Sequence, residues 1–282
     1  MLTHDNVLLE LRTQIDAIDD QIISLLKDRL AIVDQVGRHK KEMGINGCFL
    51  KPGREAAILK RVVMELRPHF PDAAIASMWR MIISASLFHE QKLKVSVFGG
   101  DESKGYWLAR EYFGSFVPIN KHVSIGSVLS DVEKNDSVIG VVPLHWQEVP
   151  NHYWWQNLKD NVSVFAVLPV VCDTANEQKS VLALGKVKPE PTGDDSTLLV
   201  LNTPLTVSKN TISKALQSIK ISAEWIAQSP TPGDEKAVDH LIKVSGFIQQ
   251  YDPLLTVISK ELDNHMNYIK RIGAYANPIV TI

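Results

Sequence analysis

The sequence predicts a multidomain α plus α/β chain: an all-helical first third, a small α/β region, and a β-α-β-β-α-β tail. Three observations carry this. Apolar residues recur at three- and four-residue spacing up to about residue 90. From Lys94 the period shortens to alternation, with KVSVFGG the first stretch that reads as a strand. The Pro-, Gly- and Asp-rich KPEPTGDD then parts two β-rich regions. With 282 residues, 45% of them hydrophobic, the chain can bury more than one core.

The first helix is the most strongly patterned element. Leu8, Leu11, Ile15, Ile18, Ile22, Leu25, Ile32 and Val36 form one face of a long amphipathic helix, and the slot at position 29 on that stripe is an arginine. Lys40 follows Arg29 by close to three helical turns, so the two cations point the same way, about 16 Å apart along the axis. A cation on a buried seam is costly unless paired, which implies an anion between them. Arg12 lies roughly 26 Å before Arg29, beyond the span of one small ligand. If it shares the site it comes from a second copy of the helix, and an intertwined dimer would also cover a helix about 50 Å long.

A breaker cluster at Gly44, Asn46 and Gly47 ends this helix. The second begins near Pro52, suited to a first helical position, with Ile58, Leu59, Val62, Val63 and Leu66 on its apolar side. Pro68 and Pro71 close it. The third helix carries Ile75, Met78, Trp79, Ile82, Ser86 and Glu90 at helical spacing, and its stripe again ends in polar groups. A carboxylate on an apolar face has its ionised form disfavoured, so a function needing protonated Glu90 is expected to decline as pH rises.

Beyond Lys94, SVIGVVPL, VSVFAVLPVV and VLALGKV read as strands and GYWLAREYFG as a helix. After the linker the order is strand LLVLNT, helix TISKALQSI, strand SAEWIAQ, turn SPTPGDE, strand AVDHLIKVSG, helix LLTVISKELDNHM and a last strand, which is the ferredoxin-like arrangement.

A net charge of -2 offers no footprint for nucleic acid. Cys48 and Cys172 stand far apart with no His or Cys at ligand spacing, so neither a disulfide framework nor a zinc site is indicated. His39, His89 and His145 read as ordinary residues. The N-terminus lacks a basic stretch followed by an apolar run, and Val162 to Cys172, the longest apolar stretch, is too short to span a bilayer. The expectation is a cytoplasmic protein acting on a small molecule, with no membrane partner.

The helix LRTQIDAIDDQIISLLKDR, the run VDQVGRHK, the start GREAAIL and the closing MIISASLFHE resemble the all-helical chorismate mutase family, whose members are intertwined helical dimers. The resemblance implies a mutase domain over residues 1–93. It places Arg29 on one substrate carboxylate and Arg12 of the partner chain on the other, with Lys40 at the ether oxygen. Arg54 and Glu55 open the second helix, Glu55 toward the substrate hydroxyl. Val36 and Ser86 line the substrate, and Glu90 donates to the ether oxygen from a position where the family carries Gln. Lys51, a further candidate for the substrate lining, stands where the family carries an acid. Converting chorismate to prephenate is unimolecular and needs no cofactor or metal: the protein holds a flexible dianion in its reactive shape and supplies donors where negative charge develops.

The mutase family is often fused to prephenate dehydratase and an ACT regulatory domain. KVSVFGGDESKGYWLAREYFG resembles an altered dehydratase opening, which implies a degenerate dehydratase-like lobe over 94–193. Lys179, Ser180 and Val181 replace the family's Thr-Arg-Phe triplet, and about 100 residues suffice for one lobe rather than two. Dehydration is therefore not expected. The end of the chain, KVSGFIQQYDPLLTVISKELDNHMNYIKRIGAYANP, resembles an ACT domain, implied over 194–282. Its phenylalanine-binding turns match Ser208 to Thr211 and Gln228 to Pro230, both altered, which leaves an amino-acid effector open.

Each residue also has a plainer reading. Arg29 and Lys40 could face solvent or make interhelical ion pairs. Glu55 could complement its helix dipole, Glu90 could pair with Lys94, and Lys51 could be a loop cation. Trp146, Tyr153, Trp154 and Trp155 read as a cluster that packs on the lone lobe. As whole-protein alternatives to a mutase stand a bifunctional mutase and dehydratase, and a non-enzymatic amino-acid sensor.

Overall fold

The computed structural model describes residues 4–44, 48–144, 153–172, 180–262 and 265–281. Two compact units divide between Asn46 and Gly47. The first unit is one helix, α1 (His4–Glu42). It contains neither Gly nor Pro before Gly37, carries Asp5 in its first turn and His39, Lys40 and Lys41 in its last, and so matches the helix dipole at both ends. Gly44, at φ +67°, follows its C-terminus in the left-handed conformation that glycine adopts without strain.

The second unit begins with α2 (Pro52–Leu66) and α3 (Asp72–Glu90). Pro52 sits in the first turn of α2, and Arg67 reaches across the connection to Asp72 at 2.8 Å. Val62, Val63, Ile75 and Ala76 join the two helices. Further along α3, Ile83 and Leu87 pack on strands, sharing a core with Val95, Val97, Ile139 and Phe165. This face of α3 is thus buried on a sheet, while Met78 of the predicted stripe is 44% exposed.

That sheet has nine strands. In chain order come β1 (Lys94–Phe98), α4 (Lys104–Phe113), β2 (Ile119–His122), α5 (Ile125–Lys134), β3 (Val138–Pro143), a 3-10 turn (Trp154–Asn157), β4 (Ser163–Leu168), β5 (Val171–Cys172) and β6 (Val181–Gly185). There follow β7 (Asp195–Pro204), α6 (Lys209–Ser218), β8 (Ala223–Thr231), β9 (Asp234–Ser245), α7 (Pro253–Glu261), β10 (Tyr268–Ala276) and β11 (Ile279–Val280). The spatial order is β2-β1-β3-β6-β4-β10-β7-β9-β8, while β5 and β11 form a separate pair. The last six elements before β11 keep the expected β-α-β-β-α-β order.

The two halves meet where β4 and β10 run parallel through Gly273 and Val164. The strands lie so close there that a Cβ on Gly273 would overlap the Val164 backbone, so only glycine fits. The linker between β6 and β7 is equally ordered. Asp195, 4% exposed, accepts from the backbone N–H of Thr192 (2.9 Å) and Gly193 (3.0 Å). One core spans both halves, running from Val128 of α5 through Trp154 and Trp155 to Leu198, Ile226 and Leu241. The tryptophan pair is a packing cluster. His145, Trp146, Lys179, Asn46 and Gly47 lie outside the described residues. Among the described residues no helix is long and apolar enough to cross a membrane.

Candidate active site

On α1, Arg12 is exposed while Arg29 and Lys40 are half-buried, and Val36 is 46% exposed. The helical rise leaves Arg29 and Lys40 about 16 Å apart and Arg12 roughly 26 Å from Arg29, as the spacing requires. Around them α1 exposes Leu8, Leu11, Ile15, Ile18, Ile22 and Leu25, each by 49% or more. These are the stripe residues, so within its own unit the helix leaves unburied the face that the sequence marks as a seam.

In the second unit, Lys51, Arg54 and Glu55 gather at the start of α2, and Ser86 and Glu90 share one face of α3, four residues apart. Arg54 is exposed and Glu55, its neighbour, is buried at 5%. Ser86 donates its hydroxyl proton to the Ile82 carbonyl at 2.9 Å, a local bond within α3. Glu90 is half-buried. Lys51 pairs with Glu190 at 3.2 Å, a contact on the rim of the unit.

Glu55 is the residue whose setting differs most from the sequence reading. Its Oε1 accepts the backbone N–H of Lys51, the N-cap residue of α2, at 3.3 Å. Its Oε2 is held by Arg80 at 2.7 Å. Arg80 on α3 is only 1% exposed. Its Nε donates to the Tyr112 carbonyl at 2.9 Å, it donates to Ser84 Oγ at 3.3 Å, and its guanidinium lies 3.7 Å from the Tyr112 ring centroid. Burial pushes the Tyr112 phenol up to about 12, against the pull of the Arg80 charge. One arginine therefore ties α2, α3 and α4 together through the carboxylate expected to face a substrate.

Sequence reasoning missed Arg80, although the signal was the one that marks Arg29. Four residues after Ala76 and four before Ser84, Arg80 sits on a stripe that is otherwise small or apolar. A second missed cluster surrounds Asp239, 1% exposed, which accepts from Gln156 (2.6 Å), Asn202 (2.6 Å) and Tyr268 (3.0 Å). Gln156 also donates to Ser229 Oγ at 2.9 Å and to the Pro230 carbonyl at 2.8 Å, so the Gln228 to Pro230 stretch is bonded to the 3-10 turn. Ser208 of the other expected effector turn caps α6, its hydroxyl accepting from Thr211 N. Among the described residues no group of three His, Cys, Asp or Glu could hold a metal ion.

Residues 11–91 match the family model for chorismate mutase type II, a span holding every candidate residue named on α1, α2 and α3. A bifunctional chorismate mutase/prephenate dehydratase of Aquifex aeolicus is 28% identical over 188 residues, covering 64% of this chain and 51% of the relative. Its namesake in Pseudomonas aeruginosa is 29% identical over 137 residues, covering 48% of this chain and 38% of the relative. The chain thus spans about half, or less, of the curated relatives it matches. Among solved structures, GqqA, described as a novel type of quorum quenching acylase, superposes with a TM-score of 0.50 at 11% identity, covering 66% of this chain and 95% of that one. At that identity the likeness concerns the fold alone.

Proposed function

We propose that the chain rearranges chorismate to prephenate as a homodimer whose sites are shared between subunits. The observation that carries this is the family match across residues 11–91, which spans Arg12, Arg29, Lys40, Arg54, Ser86 and Glu90. In this reading Arg29 and the partner's Arg12 clamp the two substrate carboxylates, Lys40 and Glu90 donate toward the ether oxygen, and Arg54, Val36 and Ser86 complete the lining. The clamp restrains a flexible dianion near its reactive shape, and the donors meet charge that grows as the ether bond breaks. The exposed apolar face of α1 supports the dimer, because a second copy of the same stripe would cover it.

Glu55 takes a different part from the one the sequence suggests. Its carboxylate could meet a substrate hydroxyl only by leaving Arg80, stranding a buried cation. We therefore read it as a positioning residue that fixes the start of α2 and so aims Arg54. Lys51, paired with Glu190, is assigned no substrate contact, and the tail no effector, since Gln156 already occupies Ser229 and Pro230.

The test is chorismate consumption by wild type and Arg29→Ala. Loss of activity in the variant supports the assignment; equal rates sink it, and no rate in either favours the sensor. Sharing of the site is tested by mixing inactive Arg12→Ala and Arg29→Ala chains. Half the dimers are then mixed and half of their sites intact, so about a quarter of wild-type activity should return.

The named activities of the relatives favour one second reading, a mutase that also dehydrates prephenate. Against it, Ser180 and Val181 are buried at the start of β6, at 6% and 2% exposure, where a substrate-binding triplet would need to be reachable. Release of phenylpyruvate from prephenate by the purified chain would decide for that second reading.

A further inference from the structure

A cleft of about 740 Å³ opens beside the junction of β4 and β10, away from α3. Its walls are the segment 186–191 that leaves β6, the loop 247–251 ahead of α7, and Arg271 on β10. The pairing of β10 with β7 slips between Arg271 and Gly273, a bulge of the kind that re-aims a side chain.

Arg271 has an unusual environment. It is half-buried, its Nε is shielded from solvent, and that N–H has no hydrogen-bond partner among the described residues. Its guanidinium lies 5.4 Å from the Phe247 ring centroid. Burial lowers its proton affinity with no carboxylate offsetting it. The acids nearby are committed to other cations: Glu190 to Lys51 (3.2 Å), Asp160 to Lys270 (2.9 Å) and Asp136 to Lys186 (2.7 Å). Exposed Lys188 adds a further positive charge at the mouth.

A shielded Nε–H without an acceptor is costly, and the side chain that carries it lines the cleft. Its planar fork matches a carboxylate, to which it can donate two parallel hydrogen bonds. In a lining that is otherwise largely polar, two rings stand near it, with Phe247 beside the guanidinium and Tyr251 projecting at 92% exposure. An inorganic anion would satisfy Arg271 and leave those rings unused. A carboxylate attached to a ring would use both.

We propose that this cleft binds a small ring-bearing carboxylate, its carboxylate on Arg271 and its ring against Phe247 and Tyr251. The site is separate from the residues of α1 to α3 read above as catalytic, and the proposal does not rest on that reading.

Calorimetric titration of the full chain with benzoate tests it, with inorganic phosphate and benzyl alcohol as the anion without a ring and the ring without a charge. Benzoate should bind saturably, one per chain, and more tightly than either control. Arg271→Gln should weaken benzoate by about tenfold or more. Arg271→Lys should weaken it less, and Tyr251→Ala a few-fold. The thermal midpoint of Arg271→Gln should equal or exceed that of wild type, because an uncompensated buried cation is removed; a fall would mark Arg271 as a packing residue and overturn the assignment. No saturable binding up to about 10 mM, equal affinity in Arg271→Gln, or phosphate binding as tightly as benzoate would each overturn it too. So would loss of binding in Arg29→Ala with retention in Arg271→Gln, which would put the ligand on α1.

Discussion

Replacing Arg80 with Met tests whether Glu55 is an anchor. The substitution keeps most of the aliphatic stem over the Tyr112 ring but removes the charge and every donor. Glu55, at 5% exposure, then keeps only the 3.3 Å bond from Lys51 N, and the Tyr112 carbonyl keeps only Ser84 Oγ at 2.9 Å. Breaking one side of a buried pair in this way costs about 3–5 kcal/mol. For a unit of this size that is on the order of 10 °C in the thermal midpoint. Glu55→Leu should also destabilise, since it strands Arg80. The double variant Arg80→Met with Glu55→Leu should recover most of the loss, because exchanging a whole buried pair for apolar groups is often close to neutral. Midpoints of all four proteins by circular dichroism complete the cycle. If Arg80→Met shifts the midpoint by less than about 2 °C, or if the double variant loses the sum of the two singles, the anchoring argument is wrong. If the double variant is as stable as wild type and has unchanged mutase KM and kcat, Glu55 touches no substrate.

Two further outcomes follow from buried groups. His240, 1% exposed and bonded through Nε2 to Thr203 Oγ1 at 3.0 Å, is held down to about 4 by burial and then by the Lys209 charge. Because its folded-state value is depressed from 6.5, the unfolded chain takes up a proton that the folded one refuses. Stability should therefore be full above about pH 6.5 and fall by up to about 3 kcal/mol as pH drops toward 4, a slope that His240→Gln should flatten in urea midpoints. Gly273→Ala would set a Cβ against the Val164 carbonyl and 2.6 Å from the Val164 Cβ, forcing β4 from β10. A loss of about 1–3 kcal/mol in denaturant titrations is expected, and a neutral result would mean that the junction gives more easily than its geometry allows.

The elements legible in the sequence are those whose period was long or whose punctuation was strong. The helices around Arg29, Leu59 and Ile82, the strands KVSVF and VLALG, and the β-α-β-β-α-β tail all appear where pattern places them. Helix α5 was overlooked although Ile125, Val128, Leu129 and Val132 carry a helical period behind Ser124, whose hydroxyl caps it. Strand β2, four residues long and partly exposed, carries no such period. The joining of the two β regions into one sheet rests on a single close approach at Gly273, and no local pattern encodes a pairing partner more than 100 residues away. Glu55 shows the same limit at a site: its neighbours in sequence mark it as a first-turn acid, while its partner Arg80 is visible only once α3 is laid beside α2.

The segment between β6 and β7 connects the cleft at Arg271 to the start of α2. Lys188 and Pro189 form one side of the cleft. Next to them, Glu190 backs the first turn of α2 so closely that a Cβ on Gly53 would stand 2.7 Å from its own. Gly53 immediately precedes Arg54, and Glu55 is fixed in turn by Arg80. Contacts this tight transmit displacement, because closely packed groups cannot move independently. The exposed Lys51 to Glu190 pair adds little energy to this link; the steric contact at Gly53 carries it. A displacement of Glu190 would therefore press on Gly53, next to Arg54, through contacts that include neither α1 nor the tail.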